Sequence, residues 1–232
     1  MAASKLSIRE RELPEGLVAL PLRTRLVTRG DDLVTLVAEA TAGMLQSSDV
    51  VAISETAVAI AQGRFIGAEY VRPSRLAYAL ARRAGAMATL SQPESMQLVI
   101  DRVGTPAVLS AVAAHVVGRV RGKRGVLYER LGEAIATIDG YTGTMAPYEQ
   151  AIVLGPEDPD AFARDCAARI GAGCVVVDAN DLRIAKVLGA SCGIARENVE
   201  RALLGNPHGN SDQQTPIVIF KWRAPGTNPL WA

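Results

Sequence analysis

Short apolar runs alternate with segments of helical periodicity along this chain. The runs that resemble buried strands lie at 17–20, 49–54, 174–177 and 217–220. Between the first two, Asp32–Leu45 places Leu33, Leu36 and Val37 on one helical face, and Asp31 is the expected N-cap of that helix. Pro93 and Pro159 are expected at the first positions of two further helices, with Asp158 as the cap of the second. Short apolar runs are typical of buried strands, and a 3.6-residue spacing is typical of amphipathic helices. The alternation therefore predicts an α+β or α/β domain.

Length and composition exclude several classes of protein. The chain has 232 residues, 49% of them hydrophobic, which is enough for one large core or two small ones. A formal net charge of +1 and an aromatic content of 4% argue against a nucleic-acid partner. We also expect no membrane partner, because no apolar run is long enough to cross a bilayer.

The cysteines and the N-terminus indicate the compartment. Cys166, Cys174 and Cys192 are odd in number and form no C-x-x-C pair, which disfavours a disulfide framework or a zinc site. The first eleven residues are polar and lack the apolar core of a signal peptide. Both features predict a cytoplasmic protein.

Two apolar runs end in an aspartate. Ile135–Ile138 is followed by Asp139, and Cys174–Val177 is followed by Asp178. A carboxylate that faces a cleft at a strand end is partly desolvated and needs a cation, hydrogen-bond donors or a proton. Two such carboxylates, if they converge, would suit Mg²⁺ or Mn²⁺. The alternative for each is an ordinary turn or helix cap, where aspartate is common.

Other motifs give weaker signals. The glycines of "GAGCVV" at 171–176 precede a strand, whereas a dinucleotide fingerprint follows one, and no P-loop motif is present. The segment "GRVRGKRG" at 118–125 is either a phosphate-binding loop or a solvated basic turn. His208 is the better functional candidate of the two histidines, because its loop is rich in glycine and asparagine.

Five stretches stand in the order of the motifs of one family. They are "PLRTRLVTRGDDL" (21–33), "DVVAISETAVAIAQGR" (49–64), "TIDGYTG" (137–143), "VVVDAND" (175–181) and "NPHGNSDQQTPIVI" (206–219). Through them the chain resembles the coenzyme F-420-0:L-glutamate ligases over nearly its whole length. The resemblance implies a single α+β domain over 1–232, with mixed sheets and an intertwined homodimer. Two lobes meeting near 104–135 are the alternative.

The resemblance also implies a reaction. The family uses GTP and a divalent metal, Mg²⁺ or Mn²⁺, to phosphorylate a substrate carboxylate, and the amine of L-glutamate then displaces the phosphate. The substrates are thus small molecules, namely L-glutamate and a carboxylated cofactor such as coenzyme F-420. Bound cations would neutralise the repulsion between polyphosphate and carboxylate.

Residue roles are implied position by position. Asp139 and Asp178 correspond to catalytic metal ligands, and Asp212 could supply a further one. The nucleotide contacts implied by the family motifs are Arg23, Thr24, Arg25, Glu55, Thr56, Thr142, Asn206, His208, Gly209, Asn210 and Ser211. Surface charges remain the alternative for the two arginines, and turn positions remain the alternative for Thr56 and Thr142.

Two departures from the family pattern leave the activity open. Ile60 stands where the family has a lysine, and Ala179 stands where it has a threonine. A missing lysine removes a charge-assisted contact to phosphate worth about 1.5–3 kcal/mol. A nucleotide- and metal-binding relative without catalytic activity, or a ligase for another substrate, is therefore the alternative function.

Overall fold

The computed structural model describes most of the chain in two compact units. The described residues are 13, 15–84, 90–120, 122, 126, 130–131, 138–139, 146–180, 183–209 and 213–232, without the side chains of 119, 120 and 139. The first unit joins Met1–Gly63 to Pro156–Ala232, and the second is Arg64–Gly155. The assignment of the whole chain to one domain stays a prediction.

Within the described residues the chain forms eight strands and seven α-helices, which confirms the predicted α+β class. In chain order they are β1 (Leu17–Leu22), α1 (Leu33–Ala40), β2 (Val50–Ser54), α2 (Glu55–Ala61), β3 (Phe65–Gly67), α3 (Arg75–Ala81), α4 (Pro93–Val103), α5 (Thr105–Val120), β4 (Ile138–Asp139), β5 (Ala151–Leu154), α6 (Pro159–Ile170), β6 (Gly173–Ala179), β7 (Ala185–Ala190), α7 (Arg196–Leu203) and β8 (Ile217–Trp222).

The first unit is built on a five-stranded sheet in the order β1-β8-β2-β6-β7. β2 and β6 are parallel, and the other neighbouring pairs are antiparallel. The first four residues of β2 and of β8 are fully buried, because these inner strands are covered on both faces. Pro21 is tolerated within β1 because β1 is an edge strand, where a missing N–H leaves no partner unsatisfied.

Helices cover the sheet. Val175, Val177 and Val187 pack on one face in a cluster with α7, while α6 packs on β6 and β7, with α1 against it. Gly189 lets α6 approach closely, since a Cβ atom there would lie 2.2 Å from the carbonyl carbon and oxygen of Pro159. This glycine thus sets the distance between β7 and the start of α6.

The N-termini of α6 and α1 test the helix-start signals of the sequence. Pro159 occupies the first turn of α6, as predicted, but Asp158 before it has φ 42° and makes no side-chain capping bond. Asp31 was the expected N-cap of α1, and this is wrong: Asp32 accepts the amide of Thr35. Asp31 is instead engaged by Arg25, as described below.

The second unit contains a three-stranded sheet in the order β3-β5-β4. Its core combines α3, α4 and α5 with these strands, and Leu90, Val99 and Ile152 are almost completely buried in it. Among the described residues, no single helix is long and apolar enough to cross a membrane. Only α4 and α5 together reach that length and composition, and they meet at a bend of 112°.

Candidate functional site

The strand order brings separate segments to one end of the five-stranded sheet. Because β2 and β6 are parallel, with Ser54 opposite Val177, both terminate at the same end. The antiparallel β8 begins there, since Ile217 pairs with both Ile53 of β2 and Leu22 of β1. We call this the Asp178 end. The segments that follow β1, β2 and β6 begin at this end, and the segment that precedes β8 ends there.

Arg23 and Thr24 follow β1 at the Asp178 end. The amide of Thr24 donates to the Gln214 carbonyl at 3.1 Å, and Arg23 Nη2 donates to Gln214 Oε1 at 3.4 Å. The Thr24 hydroxyl donates to the Arg25 carbonyl at 2.8 Å. The structure therefore brings two sequence-predicted nucleotide segments together, the one after β1 and the one before β8.

Arg25 is held by an internal ion pair. Its guanidinium nitrogens donate to the two carboxylate oxygens of Asp31 at 2.7 and 3.0 Å, and Asp31 also accepts the Thr28 amide. The guanidinium, followed by that amide, keeps the pKa of Asp31 well below its ordinary value. A phosphate would have to compete with this fork-like pair for Arg25, whereas the single bond from Arg23 is long.

Glu55 and Thr56 begin α2 directly after β2. The amide of Ser54, the last residue of β2, donates to the Pro216 carbonyl at 2.9 Å. This bond fixes the start of α2 beside the residues that lead into β8. Ile60, which stands at the position of the family lysine, is 7% exposed in the second half of α2 and packs with the core.

Asp178 is the penultimate residue of β6 and is half-buried. Burial raises the pKa of its carboxyl above the ordinary value, and the charge of Lys186 partly offsets this rise. Lys186 is the cross-strand partner of Asp178 on β7. A desolvated carboxylate of this kind is stabilised in its charged form by a nearby cation.

Asn180 shapes the turn between β6 and β7. Its backbone amide donates to the Ile184 carbonyl at 3.0 Å, and its side-chain Oδ1 accepts the backbone amide of Ile184 at 3.3 Å. These two bonds account for Asn180, two positions after Asp178, as a turn residue. Asp181, the second carboxylate of the motif, lies outside the described residues.

The segment before β8 is closed by His208 and Thr215. His208 Nδ1 lies 3.1 Å from the Thr215 carbonyl, and the Thr215 hydroxyl donates to the His208 carbonyl. A carbonyl only accepts, so Nδ1 carries the proton in the neutral ring. Burial lowers the pKa of His208 to about 4, which keeps the imidazole neutral at neutral pH.

The rest of this segment is described in part. Asn206 adopts φ 44°, and its side-chain amide donates to the Gly209 carbonyl at 3.1 Å. Gly209 itself has φ 74°, a conformation that favours glycine. Asn210, Ser211 and Asp212 lie outside the described residues, so their predicted nucleotide and metal roles stay predictions.

Asp139 belongs to the second unit, where it ends β4 opposite Val153. Its side chain and the whole of Thr142 lie outside the description. The sharing of one ion by Asp139 and Asp178 stays a prediction. Among the residues that are described, no group of three or more His, Cys, Asp and Glu side chains could hold a metal ion.

Sequence reasoning did not identify Gln214 or Lys186 as individual members of this end. Gln214 was only one residue of a longer loop. Lys186 could have been found from the sequence "DANDLRIAK", because a hairpin centred on position 182 pairs Asp178 with Lys186.

Comparisons with known proteins give a consistent result. Residues 21–200 match the family described as F420-0:Gamma-glutamyl ligase. The chain is also 28% identical over 233 residues to the coenzyme F420:L-glutamate ligase of Methanopyrus kandleri, an alignment that covers 87% of this chain and 84% of that protein.

Proposed function

The chain belongs to the F420-0:gamma-glutamyl ligase family, and on this basis we propose that it joins L-glutamate to a carboxylated cofactor such as coenzyme F420. The observation that carries the proposal is the match over residues 21–200. The name of the Methanopyrus kandleri relative supports the same reaction. The convergence of four family motifs at the Asp178 end supports a substrate site there.

We propose a two-step reaction through an acyl phosphate. The cofactor carboxylate takes the γ-phosphoryl group of GTP, and GDP leaves. The amine of L-glutamate then attacks the acyl carbon, the C–O bond to phosphate breaks, and the nitrogen loses a proton as the amide forms. Such a reaction depends on positioning and charge neutralisation, and it needs no covalent protein nucleophile.

A divalent cation fits the chemistry of Asp178. Burial disfavours the charged carboxylate, and a hard cation restores it, while oxygen ligands are those that Mg²⁺ and Mn²⁺ prefer. We propose that Asp178 is a ligand of the ion, and that Asp139 and Asp212 have the metal-ligand roles that the family motifs imply. When bound, the ion supplies positive charge to the phosphate oxygens.

We propose that Arg23, Thr24, Glu55 and Thr56 position the nucleotide with the segment before β8. The bonds from Arg23 and Thr24 to Gln214 hold the segment after β1 against the segment before β8. Positioning of this kind lowers the activation free energy, because the reacting groups lose their translational and rotational entropy on binding and not in the chemical step.

We further propose a homodimer in a reducing cytoplasm. The three cysteines are free thiols, as expected in such a compartment. On α5, Leu109, Val116 and Val117 are 47%, 56% and 49% exposed, a face that a second copy could cover. Val116→Lys should shift the molar mass by light scattering from dimer to monomer, whereas Ile184→Lys in the first unit should leave it unchanged.

Calorimetric titration with GTP tests the metal role of Asp178. Asp178→Asn keeps the shape of the side chain and removes its charge, so we expect Mn²⁺ no longer to tighten GTP binding. Asp165→Asn, which removes an exposed carboxylate from α6, is the matched control and should behave as the wild type. An undiminished Mn²⁺ effect in Asp178→Asn would exclude Asp178 as a metal ligand.

The reaction itself is tested in extract of the source cells. Addition of the protein, GTP and Mn²⁺ should increase the mass of one carboxylated small molecule by that of a glutamyl residue, with release of phosphate. If GTP binds but no phosphate is released with any acid in a broad panel, the chain is a non-catalytic binding relative. Burial of Ile60 in place of the family lysine is the observation that favours this second candidate.

A further inference from the structure

Lys186 has a fixed place beside Asp178. The two residues are directly opposite in the antiparallel β6–β7 pair, so their side chains lie on the same face of the sheet. The two hydrogen bonds between Asn180 and Ile184 fix the turn and hence this register. Val187, the next residue, is 5% exposed in the core on the opposite face, which prevents Lys186 from turning away from Asp178.

The ammonium group of Lys186 remains accessible to a ligand. Lys186 is exposed, although its partner Asp178 is half-buried. Lys186 acts on Asp178 through its charge, without a hydrogen bond between them. A lysine on a flexible stem in this position can reach an anion that lies over the end of β6 while staying near the carboxylate.

The chemistry of the Asp178 end requires such a charge. A triphosphate and a carboxylate that meet there need several positive groups. Arg25 is already bound to Asp31 by two hydrogen bonds, and Ile60 offers none of the charge of the lysine it replaces. Among the described residues paired across strands at this end, Lys186 is the cation that directly opposes Asp178.

We propose that Lys186 binds an anionic oxygen of a substrate, from the phosphates of GTP or from a carboxylate of L-glutamate, beside Asp178. The inference rests on the proposed function, because that function supplies both anions. Lys186 of β7 would then supply the positive charge that α2 lacks, because Ile60 of α2 stands at the position of the family lysine.

A lysine on an edge strand also has an ordinary role. β7 is the outermost strand of the sheet, and charged side chains on such strands prevent pairing with other molecules. In that case Lys186 would affect solubility but not substrate affinity. The two roles therefore differ in a measurable quantity.

The experiment compares substrate binding by the full-length wild type and three variants. Lys186→Gln removes the charge, Lys186→Arg keeps it, and Arg223→Gln removes an exposed charge just after β8, at the opposite end of the sheet. GTP with Mn²⁺ is titrated by calorimetry at two salt concentrations, and guanosine is titrated as a probe without phosphate. L-glutamate is titrated into the protein saturated with a non-hydrolysable GTP analogue.

We expect Lys186→Gln to weaken the binding of one of the two anionic ligands, GTP or L-glutamate, about tenfold. This is the effect expected for the loss of a hydrogen bond to a charged group. The loss should be smaller at high salt, should be largely restored by Lys186→Arg, and should be absent for guanosine and for Arg223→Gln. Weaker GTP binding identifies the phosphates as the ligand, and weaker glutamate binding identifies its carboxylate.

Equal affinities of Lys186→Gln and the wild type for both GTP and L-glutamate would overturn the inference. That result would leave the proposed function intact, because the wild type would still bind both substrates. Failure of the wild type itself to bind either substrate would instead contradict the proposed function. Melting temperatures of all variants within the error of the wild type show that binding, not folding, has changed.

Discussion

A buried ion pair gives the sharpest test of what stabilises the first unit. Lys221 Nζ, at the far end of β8, donates to Asp49 Oδ2 at 2.9 Å and to the Met44 carbonyl at 2.5 Å. Asp49 also accepts the Gln46 amide at 2.9 Å. The Asp49 side chain is 2% exposed and that of Lys221 is 18% exposed. The pair therefore ties the loop before β2 to the end of β8.

The two partners differ in what their loss leaves behind. At 2.9 Å and an effective dielectric constant of about 20, the attraction between the charges is about 6 kcal/mol, much of it offset by desolvation. Lys221→Met leaves the Asp49 carboxylate buried without its cation, which should lower the free energy of unfolding by about 3–5 kcal/mol. Asp49→Asn leaves an ammonium group that water can still reach, and should cost only about 1–2 kcal/mol.

Urea denaturation followed by tryptophan fluorescence measures these values. Both tryptophans, Trp222 and Trp231, lie in the first unit, so the signal reports that unit. Trp231 Nε1 donates to the Ser48 carbonyl at 2.9 Å, next to the ion pair. Arg223→Met, which removes an exposed charge nearby, is the control and should change the free energy of unfolding by less than about 0.5 kcal/mol.

The order of the two effects is the decisive result. If Lys221→Met costs less than about 1 kcal/mol, or less than Asp49→Asn, burial of the carboxylate does not govern the stability of this pair. A double variant should then show no coupling, whereas the reasoning above predicts a coupling of at least about 1 kcal/mol.

Gly189→Ala should destabilise the first unit by about 3 kcal/mol in the same urea assay, because the added Cβ would overlap the Pro159 carbonyl; a neutral effect would mean that α6 can shift at no cost. His208 should make the protein less stable as the pH falls from about 6.5 to about 4, because the unfolded chain takes up a proton that the buried imidazole does not. Up to about 3 kcal/mol should be lost over this range, and His208→Gln should have a flatter profile in pH-dependent denaturation; equal slopes would refute the assignment. Leu230→Ala, at a side chain with 0% exposure, should lower the urea midpoint by an amount equivalent to about 2–5 kcal/mol, and an unchanged midpoint would show that the C-terminal segment does not contribute to the core.

Local signals in the sequence were sufficient where one residue type determines the backbone. Pro93 and Pro159 begin α4 and α6 as expected, because a fixed φ and a missing N–H suit the first turn of a helix. The apolar runs at 174–177 and 217–220 became the cores of β6 and β8 because they have no polar face to expose.

Other elements could not be predicted from local signals. α2 follows β2 without an intervening loop, and its seven residues are too few for a helical period to be recognised in the sequence. β5 is an apolar segment of four residues whose strand conformation depends on its partners β3 and β4. Short elements of this kind are determined by tertiary contacts more than by propensity.

The candidate site was predictable as a set of residues but not as an arrangement. The motifs around Arg23, Glu55, Asp178 and His208 were recognised in order along the chain, yet that order does not show which strands are neighbours. Only the parallel pairing of β2 with β6 and the position of β8 between β1 and β2 bring those motifs to one end. The pairing of Asp178 with Lys186 likewise depends on the register of one hairpin.

The position of β8 also determines when the first unit can form during protein synthesis. β8 follows β1 to β7 in the sequence, yet it lies between β1 and β2, and among the described strands β1 pairs with β8 alone. Until the ribosome has made β8, β1 therefore lacks its partner strand, although the second unit is already complete in sequence. Chaperones that shield exposed strand edges on nascent chains would thus meet this protein with β1 unpaired until β8 has been synthesised.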